Sequence, residues 1–545
     1  MEPQSHEIIP FLLLSYKRMM KKILVILLIL PLFGQAQTDF NDIKRPKLVV
    51  GIVVDQMRPD YLYRYYNQYE EQGFKKLLRQ GTSFNNCFIN FLPTYTGPGH
   101  ASIYTGSVPS IHGIAGNNWT EAKTGERTYC VTDKTEHSVG GIAAAGQISP
   151  RNMKTTSVTD ALRLATNLKS KTIAMSLKDR GAVLPGGHTS NGTYWMDDSL
   201  GEFMTSSFYT DKLPRWASSF NAQKKAAQYL KGGWLKLYSK ERYINSTADN
   251  NAYEGRYTNE LVPTFPHRFD GLNPGYIKKT TFGNDILFDF AKAAIQGESL
   301  GQGESTDFLA ISFSSTDYVG HYFGLNSVEA EDMYLRFDKL MANFLSYLDA
   351  KVGKGNYLLF LTADHGAAHN PTFMQDQKVP AGLFKGREVM AELGSNLQIQ
   401  GIENNYAYLF KGAKTKENKQ KVIDALLERD DILFACDAQD MRSAQMPKDL
   451  EEMAINSYCH GRSGDVFFVL NPGILTQSYA TGTTHGVWNP YDAHIPLIFY
   501  GWNIQSGIEV KERVQMTDIA ATIANLLHIT PPNGCIGRAI LPLKD

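Results

Sequence analysis

Five short, nearly continuous apolar runs recur along the chain and alternate with segments of helical periodicity. Helical periodicity marks 284–296, 327–352 and 516–528, and Asn326 and Glu329 are spaced as a capping box for the second of these helices. Apolar runs of this length are typical of strands covered on both faces. The runs span residues 47–57, 171–180, 306–317, 356–366 and 494–501. The alternation predicts an α/β fold in which helices flank a largely parallel central sheet.

Two long segments, 182–282 and 372–480, interrupt this alternation. The first holds a hairpin-like pattern at 193–209 and many aromatic residues, and the second holds a helical pattern near 417–428. Neither segment shows an internal repeat or low complexity. We interpret both as insertions that cap one edge of the sheet within a single domain of residues 37–545.

Four of the five predicted strands end in ionisable side chains. In open α/β sheets, ligands bind at the carboxyl ends of the strands. A single polar residue at a strand end needs no function, but the joint occurrence predicts a shared site at this edge. The residues are Asp55, Lys178, Arg180, Asp317, Asp364 and His365.

The stretch NYLLFLTADHG places Asp364 and His365 side by side after a strand pattern. Neighbouring side chains of a regular strand point to opposite faces, so both can meet one ion only if the strand ends before them. Gly366 permits such a bend. Carboxylate and imidazole are ordinary zinc ligands. Taken alone, the stretch fits a capping aspartate and a surface histidine at least as well.

Further candidate metal ligands lie elsewhere in the chain. Asp317 and His321 are four residues apart, a spacing that one helical turn places on the same side. His485 lies in a Gly/Thr-rich loop before the last strand. Together with Asp55 and the Asp364–His365 pair, these residues supply the roughly three protein ligands per ion that a two-metal site needs.

A candidate nucleophile follows the first strand. Thr96 precedes Gly97-Pro98-Gly99 and a segment, HASIYTG, that can begin a helix. A hydroxyl at such a helix entry lies where the helix N-terminus favours an anion. On this observation alone, a threonine at that place is more often only a helix cap.

The N-terminus carries the pattern of a secretory signal peptide. Basic residues from Lys17 to Lys22 precede an apolar run from Ile23 to Phe33, and Gly34 and Ala36 are spaced for signal peptidase. We expect a signal peptide over residues 1–36, with the true start at Met19 or Met20. The apolar run is shorter than the roughly 20 residues needed to span a bilayer. This predicts a periplasmic or secreted protein without a membrane anchor after cleavage.

The remaining composition is that of a globular protein with 43% hydrophobic residues. Lys+Arg and Asp+Glu balance at 55 each, so no general attraction to nucleic acid is predicted. The cysteines are odd in number and lack CxxC spacing, which disfavours a cysteine metal site and leaves one or two disulfides open. They are Cys87, Cys130, Cys436, Cys459 and Cys535.

The order of the motifs resembles the alkaline phosphatase superfamily, and most closely its nucleotide pyrophosphatase/phosphodiesterase-like branch. The motifs are VVDQMR, PTYTGPGH, DYVGH, TADHG and GTTHG. With GNNW and SLKDRG added, the chain from about residue 44 to its end is similar to the secreted, phosphate-irrepressible alkaline phosphatases of that branch. The resemblance is strong at the motifs and weaker in the two insertions.

The resemblance implies a zinc-dependent enzyme that hydrolyses phosphate monoesters and releases inorganic phosphate. It implies one zinc ion held by Asp317, His321 and His485. The second zinc ion is then held by Asp55, Asp364 and His365, with Thr96 as its reactive ligand. Thr96 is accordingly the nucleophile that forms a phosphothreonine intermediate.

The same resemblance assigns contacts with the phosphoryl oxygens to Asn117, Lys178 and Arg180. Lys178 and Arg180 are two residues apart, so they project to the same side if the strand continues through them. Of the other histidines, His369 and His494 are candidates for contacts with the ligands. His100 and His112 are expected to be structural.

Three alternatives to a phosphate monoesterase require different residues. A phosphodiesterase of the same superfamily uses the same metal ligands, so the sequence does not exclude it. A sulfatase requires Cys or Ser in a C/S-x-P-x-R context, where this chain reads Thr96-Gly97-Pro98-Gly99-His100. An inactive, zinc-stabilised binding protein does not require Thr96 and all six ligands together.

Overall fold

The structure, a computed structural model, describes residues 44–476 and 480–541. One compact unit spans Pro46–Asp545. The predicted signal peptide lies outside the described residues. Among the described helices, none combines the length and the apolar character that a membrane crossing requires.

A ten-stranded sheet forms the centre of the protein. In chain order its strands are β1 (Leu48–Val54), β2 (Thr82–Phe84), β3 (Ser138–Val139), β4 (Thr172–Ser176), β5 (Gly192–Met196), β6 (Phe203–Ser206), β7 (Asp307–Phe313), β8 (Tyr357–Thr362), β9 (Leu497–Gly501) and β10 (Ile508–Val510). Their spatial order is β10-β2-β9-β8-β1-β7-β4-β5-β6-β3. The five neighbours β8, β1, β7, β4 and β5 run parallel, whereas β9 and β6 pair antiparallel with their neighbours. The prediction of an α/β fold with a largely parallel sheet is confirmed.

The register of the parallel strands brings their carboxyl ends to one edge. Val53 of β1 pairs with Thr362 of β8 on one side and with Ser312 of β7 on the other. Ser312 in turn pairs with Ser176 of β4. The polar residues that follow these four strands therefore start from the same level of the sheet.

Helices cover the sheet, and four of them matter for the site. They are α1 (Thr96–Thr105), α2 (Asp179–Gly186), α3 (Ser315–Phe323) and α4 (Val328–Leu348). The other α-helices span Tyr61–Arg64, Phe74–Gln80, Pro109–His112, Val158–Ala165, Arg215–Asn221, Lys225–Leu230, Phe282–Glu298, Pro371–Asp376, Gly386–Leu393, Lys416–Leu427, Lys448–Ser457, Pro490–Ala493 and Asp518–Leu526.

The predicted capping box at the start of α4 is wrong. Ser327 is the cap, because its hydroxyl accepts a hydrogen bond from the Ala330 amide at 3.1 Å. Asn326 instead contacts the ring of His369 at 3.2 Å. The sequence offered two adjacent residues of capping type, and the chain uses the second.

The segment 372–480 contributes a small layer of its own. Four antiparallel strands form its sheet, in the order Ile399–Glu403, Tyr406–Leu409, Val466–Leu470 and Ile432–Asp437. Helix Lys416–Leu427 buries Val422, Ile423 and Leu426 in a separate apolar cluster. The shorter strands of the protein are Cys87–Phe88, Asn118–Thr120, Arg127–Tyr129, Gly382–Phe384, Ile474–Thr476, His494–Ile495 and Val514–Gln515.

The segment 182–282 begins with the predicted hairpin, which is β5 and β6, and these strands extend the central sheet. Beyond it the chain is largely irregular and is fastened to α4 by buried polar contacts. The His267 ring lies 3.1 Å from Glu260 Oε2 and 3.0 Å from Glu329 Oε1 of α4. The five cysteines are unpaired thiols.

The imidazole of His267 makes stability depend on pH. Burial opposes its charge, but its hydrogen bonds with Glu260 and Glu329 raise the pKa to about 9 from an unfolded value of 6.5. The folded protein then holds a proton that the unfolded chain loses, so this contribution is full below pH 6.5 and declines up to pH 9. We expect urea unfolding of the metal-loaded protein to lose up to about 3 kcal/mol over that window.

His267→Gln should remove most of this decline. His137→Gln, at an exposed position, should leave it as in the unaltered protein. An equal decline in the His267→Gln variant would assign the pH dependence to other groups.

Candidate metal centre and active site

The carboxyl edge of the sheet gathers three buried aspartates. Asp55 directly follows β1, Asp364 comes two residues after β8 ends, and Asp317 lies in the first turn of α3. Their exposed fractions are 0%, 0% and 2%. Strand β8 has ended before Asp364, so the predicted break in alternation is confirmed.

Glycine at position 366 is required by packing. A Cβ there would lie 2.2 Å from the Tyr491 carbonyl oxygen. The bend after His365 therefore depends on a close backbone approach that a larger residue cannot make.

One group of ligand atoms forms around Asp317. His321 Nε2 lies 3.0 Å and His485 Nε2 lies 3.5 Å from Asp317 Oδ1. Asp317 and His321 are one turn apart on α3, as predicted, and His485 comes from the loop before β9. The three ligand atoms lie within 4.8 Å of one another, which suits a single metal ion.

A second group forms around His365. Its Nε2 lies 3.4 Å from Asp55 Oδ1 and 3.6 Å from Asp364 Oδ2. These three atoms are buried, and none has a hydrogen-bond partner within residues 44–476 and 480–541. The second set of residues whose ligand atoms all lie within 4.8 Å of one another is Asp55, Asp317 and His365. Asp317 thus borders both groups, and Asp364, which the sequence analysis assigned to this group, is not part of that set.

The tautomer of each histidine is fixed by a backbone carbonyl. Nδ1 of His321, His365 and His485 lies 2.7 Å, 2.9 Å and 2.7 Å from the carbonyl oxygens of Thr483, Gly366 and Thr94. A carbonyl only accepts, so each Nδ1 carries the proton and each Nε2 presents its lone pair to the centre. This is the orientation that metal coordination needs.

The charges of the centre also favour a cation. Burial, together with the charges of Asp317 and Asp364, raises the pKa of Asp55 well above its ordinary value. Such a shift indicates uncompensated negative charge. The donor set consists of three buried aspartates and three imidazoles with oriented Nε2 atoms, and it fits divalent metal ions.

Thr96 is the first residue of α1, so the helix begins before the predicted HASIYTG segment, and Thr96 is 1% exposed. Its neighbour Gly97 donates a backbone hydrogen bond to Asn117 Oδ1 at 2.8 Å, which places the Asn117 amide beside the threonine. A Cβ at Gly99 would lie 2.4 Å from the Asp364 carbonyl oxygen. The glycine thus lets α1 press against the segment that carries Asp364 and His365.

The expectation that Lys178 and Arg180 project from one strand is wrong. Strand β4 ends at Ser176, Lys178 caps α2, and Arg180 lies in its first turn. The Lys178 ammonium contacts Asp55 Oδ2 at 2.7 Å and also pairs with Asp317. Arg180 Nη1 donates to the Tyr129 hydroxyl at 3.2 Å. A cavity of about 330 Å³ opens beside both cations.

Two contacts of the centre were not predicted from the sequence. Gln56 donates from its amide to Asp364 Oδ1 at 3.2 Å and from Nε2 to Asp317 Oδ1 at 2.7 Å. Its φ of 66° places it in the left-handed region, a strain that a non-glycine residue keeps only under tight constraint. Its position directly after Asp55 was the available signal.

His100, which was expected to be structural, also lies directly beside the site. Its Nδ1 donates to the Thr96 carbonyl oxygen at 2.8 Å and lies 3.3 Å from Asp364 Oδ2 without hydrogen-bonding to it, so the ring fills the space between the helix of Thr96 and a candidate ligand. His112 is structural, as expected, and burial lowers its pKa to about 3. His369 contacts Asn326, and His494 donates to the Asn85 carbonyl at 2.9 Å.

Comparison with known proteins places this arrangement in a family. The family model for type I phosphodiesterase / nucleotide pyrophosphatase matches residues 49–492. The chain is 47% identical to alkaline phosphatase PhoV of Synechococcus elongatus, over 92% of this chain and 93% of the relative. It is 45% identical to a protein of Myroides odoratus named calcium-transporting ATPase, over 93% and 96%.

Alkaline phosphatase PafA of Elizabethkingia meningoseptica is 44% identical over 95% of this chain and 98% of its own. A crystal structure of wild-type PafA superposes with a TM-score of 0.89, covering 92% of this chain and 99% of PafA. A PafA variant with one threonine, one asparagine, one lysine and one arginine substituted superposes with a TM-score of 0.90. The chain belongs to the type I phosphodiesterase / nucleotide pyrophosphatase family.

Proposed function

We propose that this protein is an exported alkaline phosphatase that hydrolyses phosphate monoesters through a covalent threonine intermediate. The observation that carries the proposal is the set of three buried, unpartnered atoms on Asp55, Asp364 and His365, next to the helix that begins with Thr96. Identities of 44–47% to two alkaline phosphatases over more than nine-tenths of the chain support it. Export rests on the signal pattern of residues 1–36.

Two zinc ions are assigned to the two ligand groups. Asp317, His321 and His485 hold one, and Asp55, Asp364 and His365 hold the other. Zinc at these positions supplies a lowered pKa for a coordinated hydroxyl and a counter-charge for oxygens at phosphorus. Carboxylate–imidazole sets with oriented Nε2 atoms support zinc over magnesium, which prefers oxygen ligands.

Thr96 performs the covalent step. Its Oγ loses the hydroxyl proton and forms a bond to phosphorus, while the bond from phosphorus to the ester oxygen breaks. Water then cleaves the phosphothreonine and releases inorganic phosphate. The position of Thr96 at the start of α1 supports this role, because the helix N-terminus favours the negative charge of the phosphoryl group.

Three residues are assigned to the phosphoryl oxygens. The Gly97 amide occupies Asn117 Oδ1, which leaves the Asn117 Nδ2 group as a donor toward substrate. Lys178 lies between the two ligand groups, and the Tyr129 hydroxyl accepts from Arg180 and limits the positions of its guanidinium. Preorganised donors of this kind supply much of the rate in phosphoryl transfer.

The substituted PafA variant supports these assignments. Its threonine and asparagine are 21 residues apart and its lysine and arginine two apart. Thr96 and Asn117, and Lys178 and Arg180, have the same separations here. The name of the Myroides relative is compatible with the proposal, because the terminal phosphate of ATP also presents three non-bridging oxygens.

Thr96→Ala is the direct test of the covalent mechanism. The variant should lose more than about 10³-fold in turnover of an aryl phosphate while keeping its fold and its bound metal, because six protein ligands remain. Thr96→Ser retains a hydroxyl and should keep far more activity. A metal-loaded Thr96→Ala protein with near-normal turnover would eliminate the phosphothreonine step.

The joint variant Lys178→Ala/Arg180→Ala separates monoesterase from diesterase activity. A monoester carries three non-bridging oxygens and a diester two, so loss of two cations should affect the monoester more. Charge-assisted hydrogen bonds are worth about 1.5–3 kcal/mol each, which predicts a loss of roughly two to four decades in kcat/KM for monoesters. Diester cleavage should fall far less.

Lys171→Ala, just before β4 at its opposite end, removes one positive charge away from the site and should leave both rates unchanged. Equal losses on both substrates in the joint variant would give the two cations a structural role. An unaltered enzyme that prefers diesters would favour the phosphodiesterase alternative.

A further inference from the structure

A second, strongly basic cavity shares no lining residue with the metal centre. Its volume is about 570 Å³, and its walls come from the hairpin around residues 121–123, from residue 154, and from residues 411–419 and 458–465 of the small sheet layer. Two carboxylates, Glu121 and Asp465, also line it. Its six cationic residues are Lys123, Lys154, Lys411, Lys414, Lys419 and Arg462.

This excess of positive charge is local. The whole chain has 55 basic and 55 acidic residues, so its formal net charge is zero. Six cations against two carboxylates in one concavity therefore depart sharply from the average surface. Concave, charged walls concentrate the field and attract ions of opposite sign.

Half of the cations have no counter-charge in the structure. Lys414 pairs with Asp465 at 3.0 Å, and Lys419 pairs with Asp437 at 2.9 Å. Lys123, Lys154 and Lys411, by contrast, have no carboxylate within 4.0 Å in the part of the chain that the structure describes.

Two of the cations are also held close together. A Cβ built at Gly113 would lie 3.0 Å from Lys154 Cδ and 2.9 Å from Arg462 Nη1, so the aliphatic part of Lys154 packs close to the Arg462 guanidinium. Arg462 is fixed there, because it donates to the Asn152 carbonyl at 2.7 Å and lies over the Trp119 ring at 4.6 Å. Its nearest carboxylate oxygen, on Glu121, is 3.9 Å away.

We propose that this cavity, named the basic cavity, binds an anion that carries two or more phosphate groups. Lysine ammonium and arginine guanidinium groups are the side chains that recognise phosphate. The volume lies within the range of small-molecule sites, and the cations come from four chain segments, so several phosphate groups are needed to meet them. None of the candidate metal ligands or phosphoryl contacts lines it.

Two sources of such an anion fit the same chemistry. One is a substrate whose distal phosphate groups rest in the cavity while another is hydrolysed. The other is a free polyphosphate that binds there without being cleaved.

Inorganic tripolyphosphate is the probe for binding, added to metal-loaded Thr96→Ala protein so that turnover does not consume it. Calorimetry should detect a site in addition to any binding at the metal centre. Hydrogen exchange should slow at residues 121–123 and 458–465. Lys154→Glu/Lys411→Glu should weaken the additional site at least about tenfold, and the neutral pair Lys154→Met/Lys411→Met should weaken it less.

Lys231→Glu/Lys240→Glu makes the same charge change at exposed positions of the other insertion and should not alter binding. Unchanged affinity and exchange in both Lys154/Lys411 variants would overturn the proposal. This binding test does not require catalysis, so it stands or falls independently of the proposed phosphatase activity.

Kinetics distinguish the two sources and rest on the proposed function. If the cavity holds part of the substrate, Lys154→Glu/Lys411→Glu raises KM for an ester with several phosphate groups but not for an aryl monophosphate. If the anion binds free, KM for both esters stays unchanged and only tripolyphosphate binding is lost.

Discussion

Negative charge buried at one edge of the sheet is the constraint on which the site depends. Asp55, Asp317 and Asp364 are removed from water, and burial together with the charges of the other two carboxylates raises the pKa of Asp55 even beside Lys178. Burying carboxylates is costly unless they are paired or bind metal. The Nε2 lone pairs of three imidazoles also point into this centre, so carboxylates and imidazoles together can bind a metal cation there.

The sheet register converts distant parts of the sequence into this centre. Because Val53 is level with both Ser312 and Thr362, the residues after β1, β7 and β8 meet without long connecting loops. Close backbone contacts at Gly99 and Gly366 pack α1 and the backbone of Tyr491 against the segment that carries Asp364 and His365. The positions of the ligand side chains are therefore set by rigid strands and by close backbone contacts that only glycine allows.

The sequence predicted most of the central sheet and the positions of the candidate ligands on it, and the predictions that were wrong have physical causes. Apolar runs identified the central strands, and the four-residue spacing of Asp317 and His321 identified their shared helical face. Hydrophobic periodicity could not show that β4 ends at Ser176. Lys178 and Arg180 were therefore expected to continue the strand, whereas they lie at the start of a helix. The position of Gln56 directly after Asp55 marked it as near the centre but gave no partner. Its contact with Asp317 joins segments far apart in the chain, as does the approach of His100 to Asp364, and local patterns do not identify such contacts.

Anomalous diffraction from crystals grown with zinc would show directly whether this edge of the sheet holds two metal ions. We expect two peaks at the zinc edge, roughly 4 Å apart. One should lie against Asp317, His321 and His485, and the other against Asp55, Asp364 and His365. A single peak, or peaks away from these six side chains, would contradict the two-metal centre proposed for this edge of the sheet.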